Sequence, residues 1–147
     1  MSGVSRQPIL RFTPPAGLAR VIDLSTDLTY LPGPARCAVS PGALETTKRQ
    51  DPNRVDRPRR YGVRPVVSLT LIDGGDMADT PLIQELAALL FDDEVTAEVT
   101  VDGGVHWFGV WLSRFTRADL KDKQFTGQQW EIELTATSPM TDVAALL

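Results

Sequence analysis

The chain has 147 residues, 42% hydrophobic and 23% charged, an ordinary balance for one globular domain able to bury its own core. No run of 18 apolar residues is present and residues 1–6 hold no apolar signal-peptide core, so neither a membrane-spanning helix nor secretion is expected, but a product made and kept in a cytoplasm until it assembles. A single cysteine, Cys37, excludes an internal disulfide and a cysteine-rich zinc cluster, and the net charge of −4 is unevenly spread.

Residues 9–13 and 20–24 each read as a short strand, separated by Pro14-Pro15-Ala16-Gly17, which serves only as a turn or link. Residues 26–64 are rich in proline and glycine and show little period of either kind. A stretch of this length without structure is usually functional, or ordered only by a partner. Short strands fit at 27–31 and 36–39. The remainder, 48–64, reads as an extended arm with the sequence KRQDPNRVDRPRRYGVR. Its basic residues are Lys48, Arg49, Arg54, Arg57, Arg59, Arg60 and Arg64, against Asp51 and Asp56. The segment is therefore +5, which leaves −9 on the other 130 residues. A positive arm on a negative body favours contact between one copy and the next.

Val66 to Ile72 is a β-branched strand, VVSLTLI, broken by Asp73-Gly74-Gly75-Asp76. Thr80 stands where a helix N-cap belongs, with Pro81 at the first helical position. Leu82, Ile83, Leu86, Leu89 and Leu90 then form one apolar stripe, and the helix is expected to end near Phe91. A hairpin follows: residues 94–101 alternate, Asp102-Gly103-Gly104 turns, and 105–115 return. A two- or four-residue loop puts Val95, Ala97, Val99 and Val101 beside His106, Phe108, Val110 and Leu112 on a core face. Thr96, Glu98 and Thr100 then lie beside Trp107, Gly109 and Trp111 on the other. A polar connection at 117–126 leads to a last strand, 129–137, with Trp130, Ile132, Leu134 and Ala136 facing one way and Glu131, Glu133 and Thr135 the other. Residues 139–147 form a tail ending in Val143-Ala144-Ala145-Leu146-Leu147. The predicted fold is mainly β. It is a single domain over 1–147, a small β-sandwich or barrel with one flanking α-helix and a long extended loop at 26–64.

Catalytic chemistry has little to work with. His106, the only histidine, falls near a turn with no nucleophile spacing around it and reads as a partly buried structural residue. Cys37 reads as a small buried hydrophobe. The two Asp-Gly clusters lack the alternating ligands of a calcium loop, and their glycines suit turns instead. No metal, cofactor or catalytic residue is expected, and a hydrolase built on Asp92 or Asp93 would lack a base and nucleophile pair. Arginine dominates the arm, which suits bidentate pairing with carboxylates. Trp107 and Trp111, on a face otherwise polar, mark a contact surface. The arm's charge, with Tyr61 for stacking, leaves a nucleic-acid-binding module of small-barrel type as the alternative.

From Tyr61-Gly62-Val63-Arg64 onward, the order of VVSLTLI, the leucine-rich helix, the hairpin strand HWFGVWLSRFTR, a link with Lys121 and Lys123, and WEIELTATSP resembles the tail-tube-like fold of tailed bacteriophages. It is most similar to ring-forming distal tail (baseplate hub) proteins and to tail tube proteins. The resemblance covers roughly residues 61–138. It implies a β-sandwich flanked by one helix. It implies copies packed as rings, usually hexamers, whose sheets line a channel for DNA, and a long loop that reaches the adjacent subunit or ring. The expected partners are other copies, the tail proteins above and below, and DNA as transient cargo, with no membrane insertion. The expected location is the virion tail, after synthesis in the host cytoplasm. Distal tail, tube and terminator stations all remain open. The expected interface residues are Arg49, Arg54, Arg57, Arg59, Arg60, Tyr61, Arg64, Trp107 and Trp111. Glu98, Glu131 and Glu133 are expected to make a negative lumen wall along which DNA slides.

Overall fold

Strict alternation makes strands with one apolar face, and those faces meet in one core. The computed structural model describes the backbone of residues 7–29, 34, 36–41, 44–50, 56–74, 77–122 and 125–139. Its elements are β1 (Ile9–Thr13), β2 (Arg20–Asp23), β3 (Arg36–Ser40), β4 (Leu44–Gln50), β5 (Asp56–Val63), β6 (Val66–Gly74), α1 (Thr80–Phe91), β7 (Thr96–Thr100), β8 (Phe108–Asp122) and β9 (Phe125–Ala136). Seven strands form one curled antiparallel sheet, a half-barrel, in the order β2-β1-β7-β8-β9-β6-β3. The fold is thus mainly β, with one helix among the described residues, as the patterning predicts.

The core lies on one face of this sheet. Leu10 and Phe12 of β1, Val67, Leu69 and Leu71 of β6, Ala97 and Val99 of β7, Phe108 and Val110 of β8, and Ile132 and Leu134 of β9 are all buried there. α1 covers the same face through Ile83 and Leu86, with Leu82, Leu89 and Leu90 packed at its flanks. It carries the chain from β6 across to β7, three strands away in the sheet. The parity expected for the 94–115 hairpin holds, since Ala97 pairs with Val110 and Val99 with Phe108.

Several local expectations are corrected. Asp79, not Thr80, is the N-cap residue, and Thr80 is the first helical residue, because Thr80 Oγ1 donates to Asp73 Oδ2 at 2.7 Å instead of folding back on its own helix. Residues 27–29 are not a strand; Asp27 N–H bonds the Asp23 carbonyl in a turn instead. The 94–115 turn is a longer loop over residues 101–107, so His106 and Trp107 stand outside β8 rather than on its two faces. The polar stretch 117–126 is not a link. β8 continues to Asp122 and β9 begins at Phe125, paired down to Asp122 with Phe125. Backbone pairing with β9 overrides the low strand propensity of that stretch. The arm 48–64 is folded back on itself: β4 and β5 form a two-stranded ribbon that, among the described residues, pairs with no other strand.

Candidate assembly surface

The face of the sheet opposite the core carries charge pairs and two tryptophans. On β1, Arg11 points away from the core because its neighbours Leu10 and Phe12 point in. It donates to Glu98 on β7 through both Nε and Nη2, at 3.2 and 3.1 Å. The same guanidinium sits 4.3 Å from the centre of the Trp107 ring. Arg114 of β8 reaches Glu131 at 3.2 Å and Glu133 at 3.9 Å, both on β9. Ser113 and Thr135 hydrogen-bond beside it. The β-bulge between Leu112 and Arg114 makes this possible: it shifts the phase of β8 so that Arg114, like Trp111, faces outward while Phe115 turns in. Glu98, Glu131 and Glu133, expected as a bare negative wall, are each held by an arginine. The face is therefore a lattice of ion pairs rather than an unscreened acidic surface.

Trp111 stands near the middle of this face and is 50% exposed. Its register neighbour is Thr135, which pairs in turn with Val66 at the start of β6. That brings Arg64 into place, with its guanidinium 5.7 Å from the Trp111 ring centre. An arginine stacked on an exposed indole is a common element of contact surfaces. Two of the expected interface residues, Arg64 and Trp111, are thus brought together. Trp107 is separated from them and belongs to the Arg11 pair.

The remaining expected interface residues lie on the ribbon. Arg49 is the register partner of Arg57, Arg59 of Thr47 and Arg60 of Thr46, while Tyr61 sits at the register shift between Glu45 and Thr46. Their side chains, and all of Arg54, lie outside the described residues. Pro58, opposite Lys48, is tolerated because both strands of a two-stranded ribbon are edges. β3 and β6 pair as far as Ser40 with Val66, and the ribbon resumes at Leu44 with Val63. The ribbon therefore emerges from the end of the β3–β6 ladder. Seven register pairs give it a length of roughly 20 Å.

The two Asp-Gly clusters are fasteners. Asp73, fully buried, accepts the Gly74 and Asp79 N–H groups and the Thr80 hydroxyl, which locks the start of α1 to the end of β6. Asp79, also buried, accepts the Thr29 N–H at 2.7 Å. Asp102 accepts the N–H groups of Val105 and His106, the Thr100 hydroxyl, and a 2.6 Å contact from His106 Nδ1. Partial burial alone would raise the Asp102 carboxyl, but the His106 backbone and ring bonds and the Thr100 hydroxyl outweigh it and hold it at about 2. His106 is the structural residue that the sequence suggests, through this loop and not through the core. Among the described residues, no three His, Cys, Asp or Glu side chains converge on a metal-sized site.

Sequence reasoning missed the partners of Arg11 and Arg114 and the contact between Phe91 and Phe115, whose rings lie 5.8 Å apart. Outward placement of Arg11 was readable from the alternation of β1, but its partner Glu98 lies 87 residues away. No protein-family model and no curated protein sequence matches this chain. No helix among the described residues is long and apolar enough to cross a membrane.

Proposed function

We propose that this protein is a non-enzymatic structural subunit of a bacteriophage tail. In this reading copies pack side by side into a ring, hexameric by resemblance, around the DNA channel at the distal tail or baseplate hub. Tube and terminator subunits are the other stations open to the same fold. The virion is the proposed location, with other tail proteins above and below the ring and DNA as transient cargo. The observation that carries the reading is the β4–β5 ribbon. It is made from the most basic part of an otherwise acidic chain and stands outside the sheet. Its register sets Arg49 opposite Arg57, and like-signed residues at opposed positions repel unless a counter-charge is brought in. An acidic surface of the next copy supplies that counter-charge, and a heterologous contact of this kind closes into a ring when its rotation allows. Trp111 under Arg64 offers a second contact on the sheet itself.

Mass photometry and negative-stain imaging test this reading. Ring-sized particles are expected, and the combined Arg57→Glu, Arg59→Glu and Arg60→Glu variant should remain folded but fail to assemble. A strictly monomeric parent, alone and with the other tail proteins, removes the reading. The same ribbon also supports nucleic-acid binding. That alternative requires tight, salt-sensitive binding of DNA by the isolated chain, abolished by the same three substitutions.

A further inference from the structure

β8 is fifteen residues long, yet β7 covers one of its edges only from Phe108 to Val110. From Trp111 onward that edge has no strand partner among the described residues, while the other edge is paired with β9 down to Asp122. Beside the open edge runs a groove of about 400 Å³, walled on its far side by the end of α1 and the turn that follows. Leu90, Phe91, Val95, Leu112 and Phe115 supply the apolar half of its lining, and Asp92, Asp93, Ser113 and Arg114 the polar half. Phe91 packs on Phe115 yet keeps 64% of its surface exposed. An open strand edge beside apolar pockets is the arrangement that takes up an added strand: backbone bonds give affinity and alternate side chains fill the pockets. The bulge after Leu112 bends the edge and discourages indiscriminate addition.

We propose that this groove receives the segment 143–147 of a second copy, laid against β8 as an added strand. The segment is VAALL, with no charge and no proline. Extended, it spans about 17 Å, the length of edge from Trp111 to Phe115. Position selects a second copy over the same one. β9 ends at Ala136, opposite Val110, so the chain leaves on the β9 side of β8, at the level where β7 closes the far edge. The groove lies on the opposite, β7 side of β8, so a segment of the same copy would have to turn round β8 to enter it, whereas a second copy can present its segment to the open edge directly. This inference rests on the self-assembly reading and names one of its contacts.

The test uses full-length chain in a Cys37→Ser background. Copies carrying Asp93→Cys, at the exposed groove rim, are mixed under mild oxidation with differently tagged copies carrying Ala145→Cys. A disulfide between the two tags is expected, and it should be lost when Leu146→Asp is added. Phe91→Asp should raise the concentration for half-association about tenfold or more, while the chain remains folded by circular dichroism. Several results overturn the proposal. If the parent associates but no mixed disulfide forms, or Phe91→Asp leaves association unchanged, the groove is not the contact while self-assembly stands. If a chain carrying both cysteines closes the bond within itself at monomer mass, the segment docks in its own copy. A parent that never associates removes both this contact and the ring.

Discussion

The β8–β9 and β4–β5 hairpins share a backbone plan and differ in what holds them. β9 is paired on both sides, with β8 along its whole length and with β6 from Val66 to Gly74, and it sends Trp130, Ile132, Leu134 and Ala136 into the core. Among the described residues, β4 and β5 pair only with each other. A two-stranded hairpin alone is marginal in water, whereas one embedded in a sheet with a buried face is secured by the whole domain. The difference divides the molecule into a region secured by a buried face and a region held, among the described residues, only by its own cross-strand pairs. In a subunit that assembles, the second kind is where binding free energy is best placed, because changing it leaves the fold intact.

Substitutions that respect this division should sort by size. The largest losses belong to β9. Leu134→Ala removes a fully buried side chain and should cost about 3 kcal/mol in denaturant unfolding. Gly127→Ala should destabilise comparably, because an added Cβ there falls well inside contact distance of the Asp73 backbone carbonyl on β6, which the ladder cannot yield. A Gly127→Ala protein as stable as the parent would break the view of β9 as rigidly clamped.

Next in size is Asp73→Ala. It leaves the Asp79 N–H and the Thr80 hydroxyl without their carboxylate, and a loss of about 2 kcal/mol is expected, read in the same unfolding curves. Smaller again is Asp102→Asn, on the order of 1 kcal/mol, since the carboxylate is partly exposed to screening solvent. Its pH signature is more specific than its size. The folded carboxyl is held at about 2, below its ordinary value of 3.8. The stabilisation it adds is therefore complete above that ordinary value and is lost as pH falls through about 2. The gap between parent and Asp102→Asn in thermal melts should narrow steadily from pH 5 to pH 2. A gap that keeps its size over that range would assign the effect to packing.

The smallest effect on stability is expected for the triple glutamate variant of the ribbon, within about 0.5 kcal/mol of the parent. The same variant is the one expected to abolish assembly. If it instead lowered the melting temperature as β9 substitutions do, the ribbon would be part of the folded body, and the division drawn here would fail.

Much of the sheet is legible in the sequence. β1, β2, β3, β6 and α1 stand within a residue or two of their expected bounds, because period-two and helical patterns report directly on which side chains are buried. The ribbon was not legible as a ribbon. Its residues are polar, charged and interrupted by Pro58, so no alternation marks it, and only its continuity with the β3–β6 ladder pairs it. The same holds for β8 beyond Phe115, where polar residues are strand only because β9 lies beside them.

The β-rich class, the inward faces of the strands, the leucine-striped helix and the separation of a basic segment from an acidic remainder were all legible in the chain. All of these follow from local spacing and composition. Tertiary structure alone decided that β1 lies beside β7 and β6 beside β9, that Arg11 meets Glu98, that Asp73 fastens the start of α1, and that Arg64 covers Trp111. It also decided that one β8 edge beyond Val110 has no strand partner among the described residues and runs beside a groove lined by apolar and polar side chains alike. The reason is that register between strands distant in sequence is set by how two packed faces fit together, and that fit has no signature in either strand read alone.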